Sequence, residues 1–209
     1  MKCTTARLAG ALVVSSLVLA GCADDSSDAV GHGSMMSGST SASPSVGLEA
    51  DHNAADVEFA SGVIPHHMQA IAMSRLATDR AVDLRVEDLA ARIEAAQTPE
   101  IETLSSWLEQ WGAEPDMGGM DHGGMGASAG MGGMMSEQDM HDLMAASGVA
   151  FDRLFLQQMT VHHQGAVTMA ETEIADGQNA DAIALAESIR DSQTAEIAEM
   201  QQLLTELGG

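Results

Sequence analysis

The sequence predicts an all-α protein whose globular part is a four-helix bundle of two tandem helical hairpins, and three observations support this fold class. The 209 residues include only three Phe, two Trp and no Tyr, so the core has to be Ala, Leu, Ile, Val and Met, which favours packed helices over a sheet. Apolar residues recur at helical spacings along four long segments. Residues 59–108 match the sequence 96 positions later with 13 identities and no gap, so each repeat is one hairpin.

The N-terminal segment is expected to be a lipoprotein signal peptide, residues 1–21, and not part of the fold. A basic start and a short apolar run end in "LAGC" at Cys22. This ending is similar to a bacterial lipobox, in which Cys22 is acylated and becomes the mature N-terminus on the extracytoplasmic face of the cell membrane. The alternative is an ordinary signal peptide or an uncleaved anchor. Residues 22–52, rich in Ser, Gly and Asp, are then a flexible tether.

The formal charge of −23 limits the partners that the chain can have. So acidic a surface repels nucleic acid and anionic lipid headgroups, which excludes nucleic-acid binding and leaves the lipid anchor as the sole membrane contact. It attracts cations. Removal of the signal peptide also removes Cys3, so no internal disulfide can form, and the core or a metal has to hold the fold.

Repeat one, residues 53–112, opens the predicted domain of residues 53–209. Its first helix starts at the N-cap residue Asn53, and Pro65 inside it predicts a kink or a helix restart just before the next residue. Its second helix covers about 82–111 and stops at Gly112.

The linker, residues 113–146, is too dense in glycine for a regular helix over most of its length. Its end, "SEQDMHDLM", predicts a short helix capped by Ser136, with Asp139 three residues on. Repeat two, residues 147–209, then supplies helices over about 147–176 and 179–207, which end at Gly177 and Gly208.

The repeated motifs resemble those of the domain-of-unknown-function family numbered 305. They read "HHMQAIAMS", "QTPEIETLSSWLEQWG", "HHQGAVTMA" and "QTAEIAEM", and the resemblance covers roughly residues 53–207. It implies a ferritin-like four-helix bundle, usually exported. Some relatives are periplasmic copper-binding proteins that use His and Met, so the resemblance also implies a metal ion as partner.

A double histidine in each repeat is the main candidate metal site. Adjacent helix positions point about 100° apart, so one histidine of each pair faces the bundle interior and the other faces a neighbouring helix. Thioethers nearby are further candidates, although Met is also a common core residue. The predicted ligands are His66, His67, His162, His163, Met159, Met73 and Met169. The alternative is a structural network in which the histidines bond Glu100 and Glu196, which occupy matching positions.

The linker is the second candidate site, since residues 115–144 hold eight Met and eight Gly. Thioether and imidazole ligands suit Cu(I), and imidazole also suits Cu(II), so copper is the expected ion, with silver, zinc and nickel left open. The alternative is compositional drift in a low-complexity segment. The predicted linker ligands are Met117, Met120, His122, Met125, Met131, Met134, Met135 and His141.

The pattern favours a binding protein over an enzyme. Carboxylate-bridged di-iron bundles need paired Glu-x-x-His motifs, whereas the single one here, Glu49 to His52, has no repeat partner. We therefore expect a membrane-anchored lipoprotein that binds copper for sequestration, storage or hand-off, with a metal-transfer protein as a candidate partner. The alternative is a metal-free structural or protein-interaction module of the cell envelope.

Overall fold

Four long helices and one short helix form the part of the chain that the computed structural model describes, residues 52–113 and 132–208. The helices are α1 (Ala54–Arg80), α2 (Leu84–Trp111), α3 (Glu137–Ala145), α4 (Val149–Asp176) and α5 (Ala180–Glu206). Helix α1 packs along α2 and α4 along α5, and the two hairpins meet mainly through α1 and α4. The predicted all-α fold of two hairpins is confirmed, and the described ranges contain no strand.

Several predictions lie outside the described residues. They are the signal peptide 1–21, Cys22, the tether up to residue 51, and the linker ligands Met117, Met120, His122, Met125 and Met131. Within the described ranges, none of the helices combines the length and apolar character that crossing a bilayer requires.

The helix ends follow the capping residues that the sequence offers. The Asn53 side chain accepts from the backbone N–H of Asp56, whose carboxylate accepts in return from the Asn53 N–H. Ser136 and Asp139 make the same reciprocal pair at the start of α3, so the predicted short helix is confirmed. Gly112 ends α2 in the left-handed region at φ +66°.

Helix α1 does not restart at Pro65. It is continuous from Ala54 to Arg80, because the proline removes a single N–H donor while the residues on both sides of it are buried in the bundle. Burial of this stretch offsets the lost hydrogen bond. The double histidine of repeat one therefore sits on an unbroken helix.

Two buried carboxylates join the repeats reciprocally. Asp152 accepts hydrogen bonds from the backbone N–H groups of the turn at 82–83, at 3.1 and 2.9 Å. Asp56 accepts them from the turn at 178–179, at 3.0 and 2.8 Å. All these positions correspond by the shift of 96 residues, and both carboxylates are fully buried. Each repeat thus holds the interhelical turn of the other, an arrangement called here the Asp clasp.

Two apolar cores fill the bundle, and polar side chains lie between them along every long helix. The first core includes Met73, Leu89, Phe155 and Met200. The second core includes Phe59, Leu104, Ala170 and Ile189. On each long helix, a stretch with two polar side chains separates the residues of one core from those of the other. These eight residues, the polar layer, are His66, His67, Gln97, Glu100, His162, His163, Gln193 and Glu196.

Candidate metal centre

The two histidines of each pair take different directions, as their adjacent positions on a helix require. His67 turns toward α2, where its Nε2 lies 2.7 Å from the Glu100 carboxylate. His163 makes the same contact with Glu196 on α5, also at 2.7 Å. A carboxylate can only accept, so Nε2 carries the hydrogen in both rings. The Nδ1 atom of each ring is buried and makes no hydrogen bond within the described residues.

The other two histidines meet each other across the interface of the hairpins. The ring centroids of His66 and His162 are 3.7 Å apart, with the ring planes tilted by 42°. His66 Nε2 donates to the carbonyl oxygen of Gly132, at 3.3 Å. The three remaining ring nitrogens, Nδ1 of His66 and both nitrogens of His162, are buried and without a hydrogen bond in the described ranges. Ring nitrogens that could bind a metal ion are therefore concentrated where the two repeats touch.

Both central imidazoles are held in their neutral form. Burial, followed by the nearby His67, lowers the pKa of His66 to about 3. Burial also lowers the pKa of His162 well below its ordinary value, and His66 and His163 add to the effect. Neutral imidazole is the form that binds a metal ion, since the lone pair of a ring nitrogen is then available.

Two glutamines also belong to the polar layer, and the sequence prediction did not include them among the site residues. Gln97 and Gln193 are each 2% exposed. Both amide atoms of Gln97 and the oxygen of Gln193 make no hydrogen bond in the described part of the chain. The signal was present in the sequence, since this Gln is identical in the two repeats and lies one helical turn before the glutamate that holds a histidine.

The candidate methionines are not equivalent between the repeats. Met73 and Met159 are fully buried in the first core. Met169, the counterpart of Met73, is half-buried against the second core and lines a cleft of about 430 Å³ between α1 and α4. The structure thus places two thioethers in one core and the third on the opposite side of the polar layer.

The described linker ligands divide into two groups. Met134 and Met135 are half-buried where the linker rejoins the bundle, and Met135 packs against the first core. His141 lies on the exposed side of α3, with 72% of its side chain exposed and Asp142 at 3.6 Å. The structure therefore brings the two methionines to the bundle and leaves this histidine in solvent.

A buried carboxyl pair lies at the far end of the cleft. Glu173, which lines the cleft, is 1% exposed. Burial and the neighbouring Asp56 carboxylate raise the pKa of Glu173 to about 8. Burial also acts to raise the pKa of Asp56, but its backbone hydrogen bonds and Glu173 hold it below the usual value. Glu173 is thus the protonated partner of this pair at neutral pH.

The polar layer offers a metal ion pairs of imidazoles. In residues 52–113 and 132–208, no three His, Cys, Asp or Glu side chains stand together at metal-ligand spacing. A third protein ligand, where an ion takes one, would be of another type. A thioether is the type that the adjacent core contains.

Comparisons with known proteins agree with this architecture. A family described as Domain of unknown function (DUF305) matches residues 56–204. A DUF305 protein of Streptomyces coelicolor, described as a candidate secreted protein, is 32% identical, with a TM-score of 0.66 over 74% of this chain and 93% of that one. CopM in its Cu(II)-bound form is 33% identical, with a TM-score of 0.62 over 72% of this chain and 96% of that one. CopM also has Cu(I)-bound and Ag-bound structures.

A curated relative is more limited in extent. The uncharacterized protein L153 of Acanthamoeba polyphaga mimivirus is 38% identical over 55 residues. That match spans 26% of this chain and 36% of the viral protein.

Proposed function

Because the chain belongs to the DUF305 family, we propose that it binds a soft transition-metal ion, copper above all, in its polar layer. The ion is cargo, held for sequestration, storage or hand-off to another protein. The observation that carries the proposal is the contact of His66 with His162, which buries three ring nitrogens without a hydrogen bond in the described residues.

Burial of unbonded polar atoms needs a compensating interaction. A polar group that loses water without gaining a partner costs on the order of 1–3 kcal/mol. The polar layer repeats this cost in both halves of the bundle. A bound metal ion offsets it, since neutral imidazole nitrogens and a nearby thioether are ligands that Cu(I) and Ag(I) favour. The Cu- and Ag-bound forms of CopM support this choice of ion.

The two His–Glu contacts are compatible with metal binding. Histidines that bind a metal through one ring nitrogen usually donate the other N–H to a carboxylate or a carbonyl, which fixes the tautomer and the ring orientation. His67 and His163 have this arrangement, with Nε2 bonded and Nδ1 buried and free of hydrogen bonds within the described chain. We assign Glu100 and Glu196 the role of orienting these rings.

The proposed cellular setting rests on the lipobox-like sequence that ends at Cys22. We propose that Cys22 is lipidated, so that the domain is anchored on the extracytoplasmic face of the membrane. The resemblance to a candidate secreted protein supports an extracytoplasmic location. The Met- and His-rich linker captures the ion and passes it to the bundle, and the protein carries out no catalysis.

Titration of Cu(I) and Ag(I) into the protein and into the double variant His66→Ala/His162→Ala tests the bundle site. We expect the stoichiometry to fall by one ion, or the affinity to fall by at least about 100-fold. Replacing a residue that only orients a ligand already weakens metal binding about tenfold, and the loss of two ligands should weaken it more. Gln157→Ala is the control, since that side chain is exposed on α4 and belongs to neither predicted ligand set. Unchanged stoichiometry and affinity in the double variant would remove the proposal.

The second candidate function is a metal-free structural or interaction module of the cell envelope. The duplicated His–Glu contacts favour it, since they explain one histidine of each pair without any ion. It requires that the purified protein contain no metal and that added copper leave the unfolding temperature unchanged. A ligand that binds the folded state selectively raises that temperature, so a thermal scan with and without Cu(I) separates the two functions.

A further inference from the structure

A short segment of backbone, residues 132–135, crosses the surface of the bundle beside the central histidines. This segment, called here the strap, follows the glycine-rich part of the linker and precedes α3. Its first residue accepts the hydrogen bond from His66 Nε2, at 3.3 Å. Its last residue, Met135, packs on the first core. The strap therefore touches both a central imidazole and the apolar interior.

Two positions on the long helices seat the strap. The Gln69 amide makes a reciprocal pair with the backbone of Met135, with N···O distances of 2.9 and 2.7 Å. On α4, a Cβ placed on Gly165 would stand 1.7 Å from the carbonyl oxygen of Gly132, so only glycine allows the strap to lie this close. Gly133, at φ +90°, also requires glycine.

The two positions that hold the strap carry different residues in the two repeats. Gln69 and Gly165 correspond by the shift of 96 residues, one three residues after His66 and the other three after His162. The Gln69 side-chain amide on α1 forms hydrogen bonds with the strap, whereas Gly165 on α4, which has no side chain, leaves space for it. As a result, His66 has a hydrogen-bond acceptor on Nε2, whereas both nitrogens of His162 are without one in the described residues.

We propose that the strap is a positioning device that fixes His66 as the Nε2–H tautomer and so makes Nδ1 its metal-binding atom. Gln69 and Gly165 are the positioning residues, since they seat the strap and touch no ion. A carbonyl oxygen can only accept, so the Gly132 contact requires the hydrogen to be on Nε2. The metal part of this inference rests on the proposed function, whereas the tautomer of His66 does not.

The test is ¹⁵N NMR of the imidazoles in the metal-free full-length chain at neutral pH, followed by Ag(I) titration. In the unaltered protein we expect His66 with Nε2 protonated and Nδ1 unprotonated. Gly165→Ala, whose Cβ displaces the Gly132 carbonyl, and Gln69→Ala, which removes both bonds to Met135, should each give a mixture of tautomers and about tenfold weaker Ag(I) binding. Gln164→Ala, at the exposed position beside Gly165, is the control and should change neither.

The backbone amide signals of the turns at 82–83 and 178–179 report whether each variant keeps its fold, because their Asp152 and Asp56 contacts lie at the ends of the helices, away from the substituted positions. An unaltered protein with the hydrogen of His66 on Nδ1 would overturn the inference. So would an unchanged His66 tautomer in both strap variants. An unaltered protein that shows the expected tautomer but takes up no Ag(I) overturns the proposed metal function and leaves the strap's hold on His66 in place.

Discussion

The two repeats share the parts that hold the bundle and differ in the parts that surround its centre. The Asp clasp, the His–Glu contacts and the buried glutamines occur in both. Among the many positions that differ, three on α1 and α4 bear on the central histidines or the cleft. The corresponding residues, with that of repeat one given first, are Val63 and Met159, Gln69 and Gly165, and Ala77 and Glu173.

This distribution separates two kinds of constraint. Residues that serve as structural partners have to be present twice, because each repeat folds against the other. Residues around the central histidines serve a single shared site, so one copy is enough. The additional thioether, the glycine seat and the buried acid all belong to α4.

The largest effect is expected at the Asp clasp. Asp152→Ala removes the carboxylate that accepts from two backbone N–H groups of the turn at 82–83, and Asp56→Ala removes the one that accepts from the turn at 178–179. We expect each variant to lower the free energy of unfolding by about 3 kcal/mol, measured by urea denaturation at pH 7. Asp79→Ala, at an exposed position of α1, is the control. A large loss in one variant and none in the other would show that the clasp is not a duplicated element.

Glu173→Gln is expected to have the next largest effect, with a dependence on pH. The pKa of Glu173 is about 8 in the folded protein against an ordinary value of 4.5, so the folded state binds the proton more tightly. The contribution of Glu173 to stability therefore falls as the pH rises from 4.5 to 8. Glutamine has no such titration, so the variant should be more stable by a few kcal/mol at pH 8 and similar to the unaltered protein at pH 4.5.

Urea denaturation at several pH values measures this difference. Glu58→Gln, at an exposed position on the same cleft, should leave the pH profile unchanged. Parallel profiles for Glu173→Gln and the unaltered protein would contradict the assignment of a protonated carboxyl. Repeat one has Ala77 at the corresponding position, so this pH dependence distinguishes the two halves.

The sequence was sufficient to predict the fold and the division of each histidine pair. Helical periodicity, the capping residues Asn53 and Ser136, and Gly112 locate the helix ends within about two residues. The angle between adjacent helix positions required His66 and His67 to diverge. Local rules of this kind need no knowledge of which surfaces meet.

Other features depend on contacts between distant parts of the chain. Asp56 lies three residues before the compared repeat window, and its acceptor role depends on a turn more than 120 residues away. The sequence does not distinguish Gly165 from any other glycine inside a helix, because its role depends on the contact with the strap. Which core each methionine joins also follows from packing alone, and therefore Met73 and Met169 could not be separated by pattern.

A smaller and symmetric effect is expected at the glutamates of the polar layer. Glu100→Gln and Glu196→Gln keep the side-chain size but weaken the charge-assisted hydrogen bond to His67 or His163. Each variant should reduce the Cu(I) affinity about tenfold, as measured by competition titration. Glu102→Gln, at an exposed position of α2, is the control. Unequal effects of the two variants would mean that the two His–Glu contacts do not contribute equally to metal binding.

The smallest effect is expected at Met159, the thioether that repeat one replaces with Val63. Met159→Leu conserves volume in the first core, so the free energy of unfolding should change by less than about 1 kcal/mol. Thioethers favour Cu(I) over Cu(II), so the variant should bind Cu(I) several-fold more weakly and Cu(II) as before. Met200→Leu is the matched control, because repeat one has Leu104 at that position of the bundle. Equal Cu(I) affinities in both variants would make Met159 a core residue alone, and the asymmetry at this position would then be one of packing.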